Sequence, residues 1–208
     1  MVPDYWGEAK AHLAKRDKVL RKLVRKLPDA ELGTRGDAFQ TLARSIVGQQ
    51  VSIRAAQSVW SRFTSAVEAA ADDPLEPAAV LARRIDDLRG AGLSARKVDY
   101  LVDLARHFHD GTVHVTQWRE MDDEAIIEEL IAVKGIGRWS VEMFLIFHMM
   151  RPNVLPVGDL GLRRAMERAY NEGEALTKDD MRRIAAPWAP FSSVGTWYMW
   201  RSLDEVNF

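Results

Sequence analysis

Cysteine is absent from all 208 residues. That excludes a disulfide, a thiol nucleophile and a cysteine-ligated iron–sulfur cluster within the sequence. It agrees with a reducing compartment, and a cytoplasmic protein is expected, nucleoid-associated if the source is bacterial. Long apolar runs are missing too. No stretch of about 18 uninterrupted apolar residues occurs, so no membrane span and no membrane partner are expected. The opening Met-Val-Pro-Asp-Tyr-Trp lacks the basic-then-apolar pattern of a secretion signal. There is no persistent strand-like alternation, no internal repeat and no low-complexity tract. Neither sign of charge dominates: 29 Lys and Arg face 30 Asp and Glu, for a net charge of −1. A uniformly basic surface, the usual mark of a nucleic-acid binder, is therefore excluded, although segregated charge is not. Lys15, Arg16, Lys18, Arg21, Lys22, Arg25 and Lys26 form one basic block, and Glu124, Glu128 and Glu129 a separate acidic stretch. Taken alone, the basic block is most simply a solvated helix face. His107, His109, His114 and His148 show neither metal-ligand spacing nor a catalytic dyad, so no metal site is expected.

What is present is helical. A hydrophobic content of 47% can build a full core. Apolar residues at helical spacing predict a first helix over Asp4–Leu27, stopped by Pro28. Asp37 caps a helix over Phe39–Gly48, and Ser52 one from Ile53 to about Ala71. Turn residues follow at 72–77, then short helices at Ala78–Arg84 and Asp86–Gly90. Ser94 starts a long helix ending near Gly111, and Asp122 starts one that reaches Val133. Further helices are predicted over Arg138–Met150, from Asp159 to about Tyr170, from Thr177 to Ala186, and over Val194–Glu205. The fold class is all-α, with about ten helices.

The segment from Val133 to Gly161 carries the chemistry. Lys134-Gly135-Ile136-Gly137 forms a tight turn between two apolar helical runs. Glycines open backbone conformations closed to other residues, so a short loop can point several N–H groups one way. The next helix begins at Arg138, where free N–H groups and the dipole favour an anion. This is a helix-hairpin-helix pattern, which grips a nucleic-acid strand without reading its sequence. One helix and one return loop later stands Asp159, after Pro156-Val157-Gly158. Aspartate is among the best N-caps. Capping and chemistry are compatible here, because a cap fixes the direction of the carboxylate.

These residues resemble the helix-hairpin-helix DNA glycosylases, in particular the 3-methyladenine DNA glycosylase II branch. The resemblance rests on Ala43-Arg44-Ser45-Ile46-Val47-Gly48-Gln49-Gln50-Val51-Ser52, on Val133 to Trp139 and on Leu155 to Leu162. Gly92-Leu93-Ser94 with Lys97 and Tyr100-Leu101 is a weaker fourth segment. The resemblance implies two helical lobes with the active-site cleft between them. Residues 36–150, with the hairpin, would form one lobe; residues 1–35 and 151–208 would form the other. It also implies a compact form without the extra N-terminal domain of the type enzyme.

Chemically, the resemblance implies a monofunctional glycosylase that flips alkylated purines of the 3-methyladenine or 7-methylguanine type out of double-stranded DNA and hydrolyses the N-glycosidic bond. Asp159 matches the catalytic carboxylate. Trp139 stands where bifunctional relatives carry a Schiff-base lysine, so no lyase activity is expected. Its electron-rich ring would stack on a cationic purine, a term of roughly 0.5–2 kcal/mol; an ordinary core tryptophan is the alternative. Met143, one turn later, falls where the branch can have an aromatic pocket residue, and Phe191 is a looser pocket candidate. Trp197, Tyr198 and Trp200 are assigned to the core. Gln49, Gln50 and Ser52 lie at the corner that enters the minor groove, with Gln50 at the wedge position. Lys134, Gly135, Gly137 and Arg138 would hold phosphates. Arg163 and Arg164 would contact the strand or be solvated. No cofactor is expected, apart from a monovalent cation that such hairpins can hold, and the protein is expected to be a monomer. The alternatives are a glycosylase for another lesion, such as ethenoadenine or hypoxanthine, and a non-catalytic helix-hairpin-helix DNA-binding module.

Overall fold

A computed structural model of the chain describes residues 2–28, 32–33, 37–68 and 74–204. Among them there are twelve α-helices, one 3₁₀ turn and no strand. The all-α reading holds. The chain divides into two compact units, Met1–Thr34 with Leu145–Phe208, and Arg35–Phe144. The domain boundary expected at residues 35 and 36 lies outside the described residues, as do the helix end expected near Ala71, Asp72 and Asp73 of the expected break, and Glu205.

The first unit holds α1 (Trp6–Arg16), α2 (Lys18–Lys26), α10 (Leu160–Tyr170), α11 (Lys178–Ala185), a 3₁₀ turn (Ala186–Trp188) and α12 (Ser192–Asp204). One helix is expected where α1 and α2 stand. The chain breaks at Asp17, whose backbone is extended at φ −134°, ψ 126°. The apolar spacing runs on through the break, which is why periodicity does not show it. Asp17 Oδ1 accepts from the amides of Val19 and Leu20 at 2.8 and 2.9 Å. Its Oδ2 accepts from the Tyr170 hydroxyl at 2.7 Å and the Trp188 indole at 3.0 Å. A carboxylate only 8% exposed is tolerable because four donors replace its water. Burial, followed by the charge of Asp17, pushes the Tyr170 hydroxyl far above its usual range, so it remains a donor. Trp6 meets Trp197 edge-on at 5.3 Å and stacks on Tyr198, and α12 packs on α1, α2 and α10.

The second unit holds α3 (Ala38–Gly48), α4 (Ile53–Ala66), α5 (Pro77–Leu81), α6 (Ile85–Gly90), α7 (Ala95–His109) and α8 (Asp123–Ile131); α9 (Arg138–Phe147) has residues in both units. α7 packs on α3, α5 and α6, and buries Val98, Leu101, Leu104 and Ala105. Phe39, Phe108, Trp118 and Phe144 form a chain of ring contacts with centroids 5.3–6.2 Å apart. Glu129 of α8 ties the 110–121 connection down. It accepts from the His114 amide at 2.9 Å, the His114 ring at 2.6 Å and the Trp118 indole at 2.6 Å.

Burial tends to raise the Glu129 carboxyl, but the donations from His114 and Trp118 outweigh it and hold the group below its ordinary value of 4.5. A carboxylate depressed on folding stabilises above its unfolded pKa, and that contribution is lost as pH falls through the folded one. Glu129→Gln should therefore be less stable than wild type at about pH 7. The gap should narrow as pH falls below about 4.5. Urea unfolding at the two ends of that window measures it, and a gap independent of pH would contradict the assignment.

Candidate functional site

The turn after α8 is built around Gly135, at φ +82°. A Cβ there would meet the Tyr100 ring at 2.1 Å, so both the left-handed backbone and the close approach require glycine. The Lys134 amide donates to Asp103 Oδ2 at 2.9 Å, and its ammonium lies 3.6 Å from Asp103 Oδ1 with the side chain 69% exposed. The Ile136 amide turns back to Val133 O at 3.2 Å. Among the described residues no protein acceptor takes the amides of Gly135 and Gly137. The turn thus presents free N–H groups immediately before α9, as an anion grip requires. Arg138 is already engaged. Its guanidinium meets both oxygens of Glu124 at 2.5 and 2.6 Å, and its Nε lies 3.5 Å from Glu142.

In the same unit, the corner between α3 and α4 carries Gln49, Gln50 and Ser52. Ser52 caps α4 through the Ala55 amide. Gln49 is partly buried, and its Nε2 donates to Gly135 O at 2.8 Å. Gln50 is exposed and left-handed at φ +57°, a conformation that L side chains rarely adopt. Val51 and Ile53 beside it are 43% and 80% exposed, so the corner offers apolar as well as amide surface. Trp139 is 51% exposed, which rules out the ordinary core alternative, and Met143 is partly buried.

In the first unit, Asp159 caps α10. Its Oδ1 accepts from the Leu162 amide at 2.6 Å and from the Trp200 indole at 2.8 Å. Trp200 stacks on Phe147, with centroids 5.6 Å apart and 17° between planes. A Cβ on Gly161 would lie 3.1 Å from that same Oδ1 and 3.4 Å from the Trp200 ring, so Gly161 makes the room for this contact. The loop before Asp159 is clamped by the start of α12. Ser193 Oγ donates to Arg151 O at 2.5 Å and accepts from the Val154 amide at 2.9 Å, and Ser192 bonds Asn153. The carboxylate is therefore aimed by its own helix, by an indole and by a fixed loop. It can supply a charge of set direction beside a developing cation.

Phe191 is 7% exposed and packs on Tyr5 at 6.0 Å and His12 at 5.5 Å. Arg163 pairs with Glu167 at 3.7 Å, and Arg164 is exposed. Trp200, assigned to the core, is the residue that sequence reasoning missed. Its neighbours Trp197 and Tyr198 are indeed buried. Helical geometry held a signal: positions 198 and 200 lie about 200° apart around a helix and cannot share a face. Asp103 was missed as well, since nothing in its sequence neighbourhood shows which turn it clamps. No group of three or more His, Cys, Asp or Glu side chains is gathered for a metal among the described residues. The hairpin carbonyls of Val133 and Gly135 each accept one protein hydrogen bond and keep a second lone pair.

Several known proteins are similar to this chain in sequence and fold. DNA-3-methyladenine glycosylase 1 of Schizosaccharomyces pombe is 30% identical over 206 residues, covering 97% of this chain and 89% of that protein. A crystal structure of DNA-3-methyladenine glycosidase from Bacillus halodurans superposes with a TM-score of 0.84 at 34% identity, covering 94% of this chain and 88% of the other. The Schizosaccharomyces pombe 3-methyladenine DNA glycosylase in complex with abasic DNA superposes with a TM-score of 0.77 at 29% identity, covering 95% and 97%. The chain spans between 38% and 93% of the length of the curated relatives it matches, and 59% of one of them, from Bacillus subtilis. Residues 43–190 match the family of HhH-GPD superfamily base excision DNA repair proteins, and with the hairpin and Asp159 inside that span the chain belongs to it.

Proposed function

We propose that the protein is a monofunctional DNA glycosylase that removes alkylated purines, of the 3-methyladenine and 7-methylguanine type, from double-stranded DNA. The observation that carries this reading is the Asp159 carboxylate, fixed on Oδ1 by the Leu162 amide and the Trp200 indole in a chain of this family. Relatives named for 3-methyladenine excision, one of them solved with abasic DNA, support the lesion class and the DNA partner.

Each residue has a task in this scheme. The free amides of Gly135 and Gly137 and the exposed Lys134 ammonium hold backbone phosphates. Arg138 contributes through the start of α9, because its guanidinium is engaged with Glu124. A monovalent cation, where bound, would lie among the hairpin carbonyls; no step requires it. Gln50 fills the space left by the flipped nucleotide, and Gln49 and Ser52 shape its corner. The exposed ring of Trp139, with Met143, receives the base. Breaking the N-glycosidic bond leaves positive charge on the deoxyribose. Asp159 stabilises that charge and directs the attacking water. The departing purine needs little acid assistance, because alkylation at N3 or N7 has already made it cationic. Product is the free base and an abasic site. No strand cleavage follows, because tryptophan occupies position 139 and the nearest lysine, Lys134, is drawn to Asp103.

A panel of duplexes, each with one defined lesion, tests the reading. Release of 3-methyladenine and 7-methylguanine, an abasic product without β-elimination and no borohydride-trapped adduct are expected. Release of none of the lesions would leave only a DNA-binding module, and a trapped adduct would overturn the monofunctional assignment.

Trp200 is the positioning residue for Asp159. Trp200→Phe keeps a ring against Phe147 but removes the donor. A hydrogen bond to a charged group contributes about 1.5–3 kcal/mol, so base release should slow by roughly tenfold to a hundredfold. Binding to abasic DNA should change little, and the protein should remain folded at the assay temperature. Wild-type single-turnover rates in this variant would contradict the role.

A further inference from the structure

The segment Gly92-Leu93-Ser94 with Lys97 and Tyr100 has no part in the chemistry above, yet α7 touches both elements that would meet DNA in the second unit. We propose that the N-terminal half of α7 is a strut that sets the α3–α4 corner against the hairpin, with Lys97 as the positioning residue for the Gln50 wedge. This rests on the glycosylase reading.

The contacts run in sequence along α7. Lys97 Nζ donates to Val47 O at 2.7 Å and to Gln49 O at 2.8 Å. These carbonyls end α3, where intrahelical partners run out and a cation is favoured. The last turn of α3 carries no basic residue of its own, so Lys97 supplies the charge from another helix. One turn on, the Tyr100 ring fills the space a Cβ of Gly135 would need. One turn further, Asp103 holds the Lys134 amide. Gln49 closes the circuit, with its side-chain amide on Gly135 O at 2.8 Å and its own carbonyl on Lys97.

Lys97 has no carboxylate partner among the described residues, and burial pushes its ammonium below the usual range. Such a group is a costly way to end a helix if nothing depends on the end. What depends on it is the next residue. Gln50 is left-handed at φ +57°, and a strained conformation persists only where its surroundings over-determine it. Pinning Gln49 at both carbonyl and side chain does so. A groove of about 430 Å³ lies along this junction, lined by Gln49, Gln50, Ser94, Lys97 and Tyr100, and leaves the wedge room to act.

The test compares wild type with Lys97→Met, Lys97→Arg, Gln49→Ala, Gln50→Ala and the Lys97→Met/Gln50→Ala double variant. Binding is measured to an abasic-analogue duplex and to the same undamaged duplex, with amide hydrogen exchange read over residues 48–52 and 134–137 of the free proteins. Lys97→Met should lose about tenfold in preference for the abasic duplex, a factor worth about 1.4 kcal/mol. The double variant should be no worse than Gln50→Ala alone, and Lys97→Arg should recover part of the loss. Exchange should rise at both segments in Lys97→Met and Gln49→Ala, and in Lys97→Met affinity for the undamaged duplex should fall less than affinity for the abasic duplex. Additive losses in the double variant, equal loss on both duplexes, or exchange that rises at 48–52 alone would each overturn the strut. If wild type shows no preference for the abasic duplex, the glycosylase reading has failed; coupled exchange at the two segments would then still be seen.

Discussion

The first turn of a helix leaves its N–H groups without partners, and in a fold made of short helices that deficit recurs every ten to fifteen residues. Most of the architecture is a response to it. Asp17, Asp37, Ser52, Ser94, Asp122, Asp159 and Thr177 each turn a side-chain oxygen onto an amide at the start of the following helix. Each such cap contributes on the order of 0.5–2 kcal/mol. Where a cap is also buried it becomes a junction. Asp17 joins α2 to Tyr170 and Trp188, and Asp159 joins α10 to Trp200. The proposed catalytic carboxylate is thus a cap that also takes the Trp200 indole, and the fold holds it still for reasons that precede any chemistry. At the hairpin the deficit is left open. Among the described residues the amides of Gly135 and Gly137 have no protein acceptor, and in the proposed reading they meet phosphate.

Much of this was legible in the sequence because it is local. Capping residues, apolar spacing and glycine pairs act over three or four positions, so helices such as α3, α7 and α10 begin where Asp37, Ser94 and Asp159 predict. The errors share an opposite cause. Asp17 breaks the first helix because two donors more than 150 residues away make its burial tolerable, and no local pattern reports that. Trp200 was taken for core because its partner Asp159 is 41 positions distant. The Arg138 guanidinium reads as free until Glu124, on the preceding helix, is seen to hold it. Residue type and order sufficed for the helices and for the motif, while the partners of polar and aromatic side chains had to come from the tertiary structure.

The functional reading joins these levels. A net charge of −1 argues against a basic DNA-binding surface, but a hairpin that presents main-chain amides needs no such surface. Tryptophan at position 139 is half exposed and offers a π-face, and the proposed restriction to hydrolysis rests on its standing there. The names of the relatives support the proposed class of lesion, and the geometry around Asp159 supports the proposed means.

The most direct measurement is single-turnover base release by Asp159→Asn beside wild type, on a duplex carrying one 7-methylguanine, with abasic-duplex affinity measured for both at a stated salt concentration. Asparagine keeps an oxygen for the Leu162 amide and the Trp200 indole but removes the charge. Release should fall by at least about a hundredfold while abasic-duplex affinity is kept. Equal release by the two proteins would contradict a catalytic Asp159.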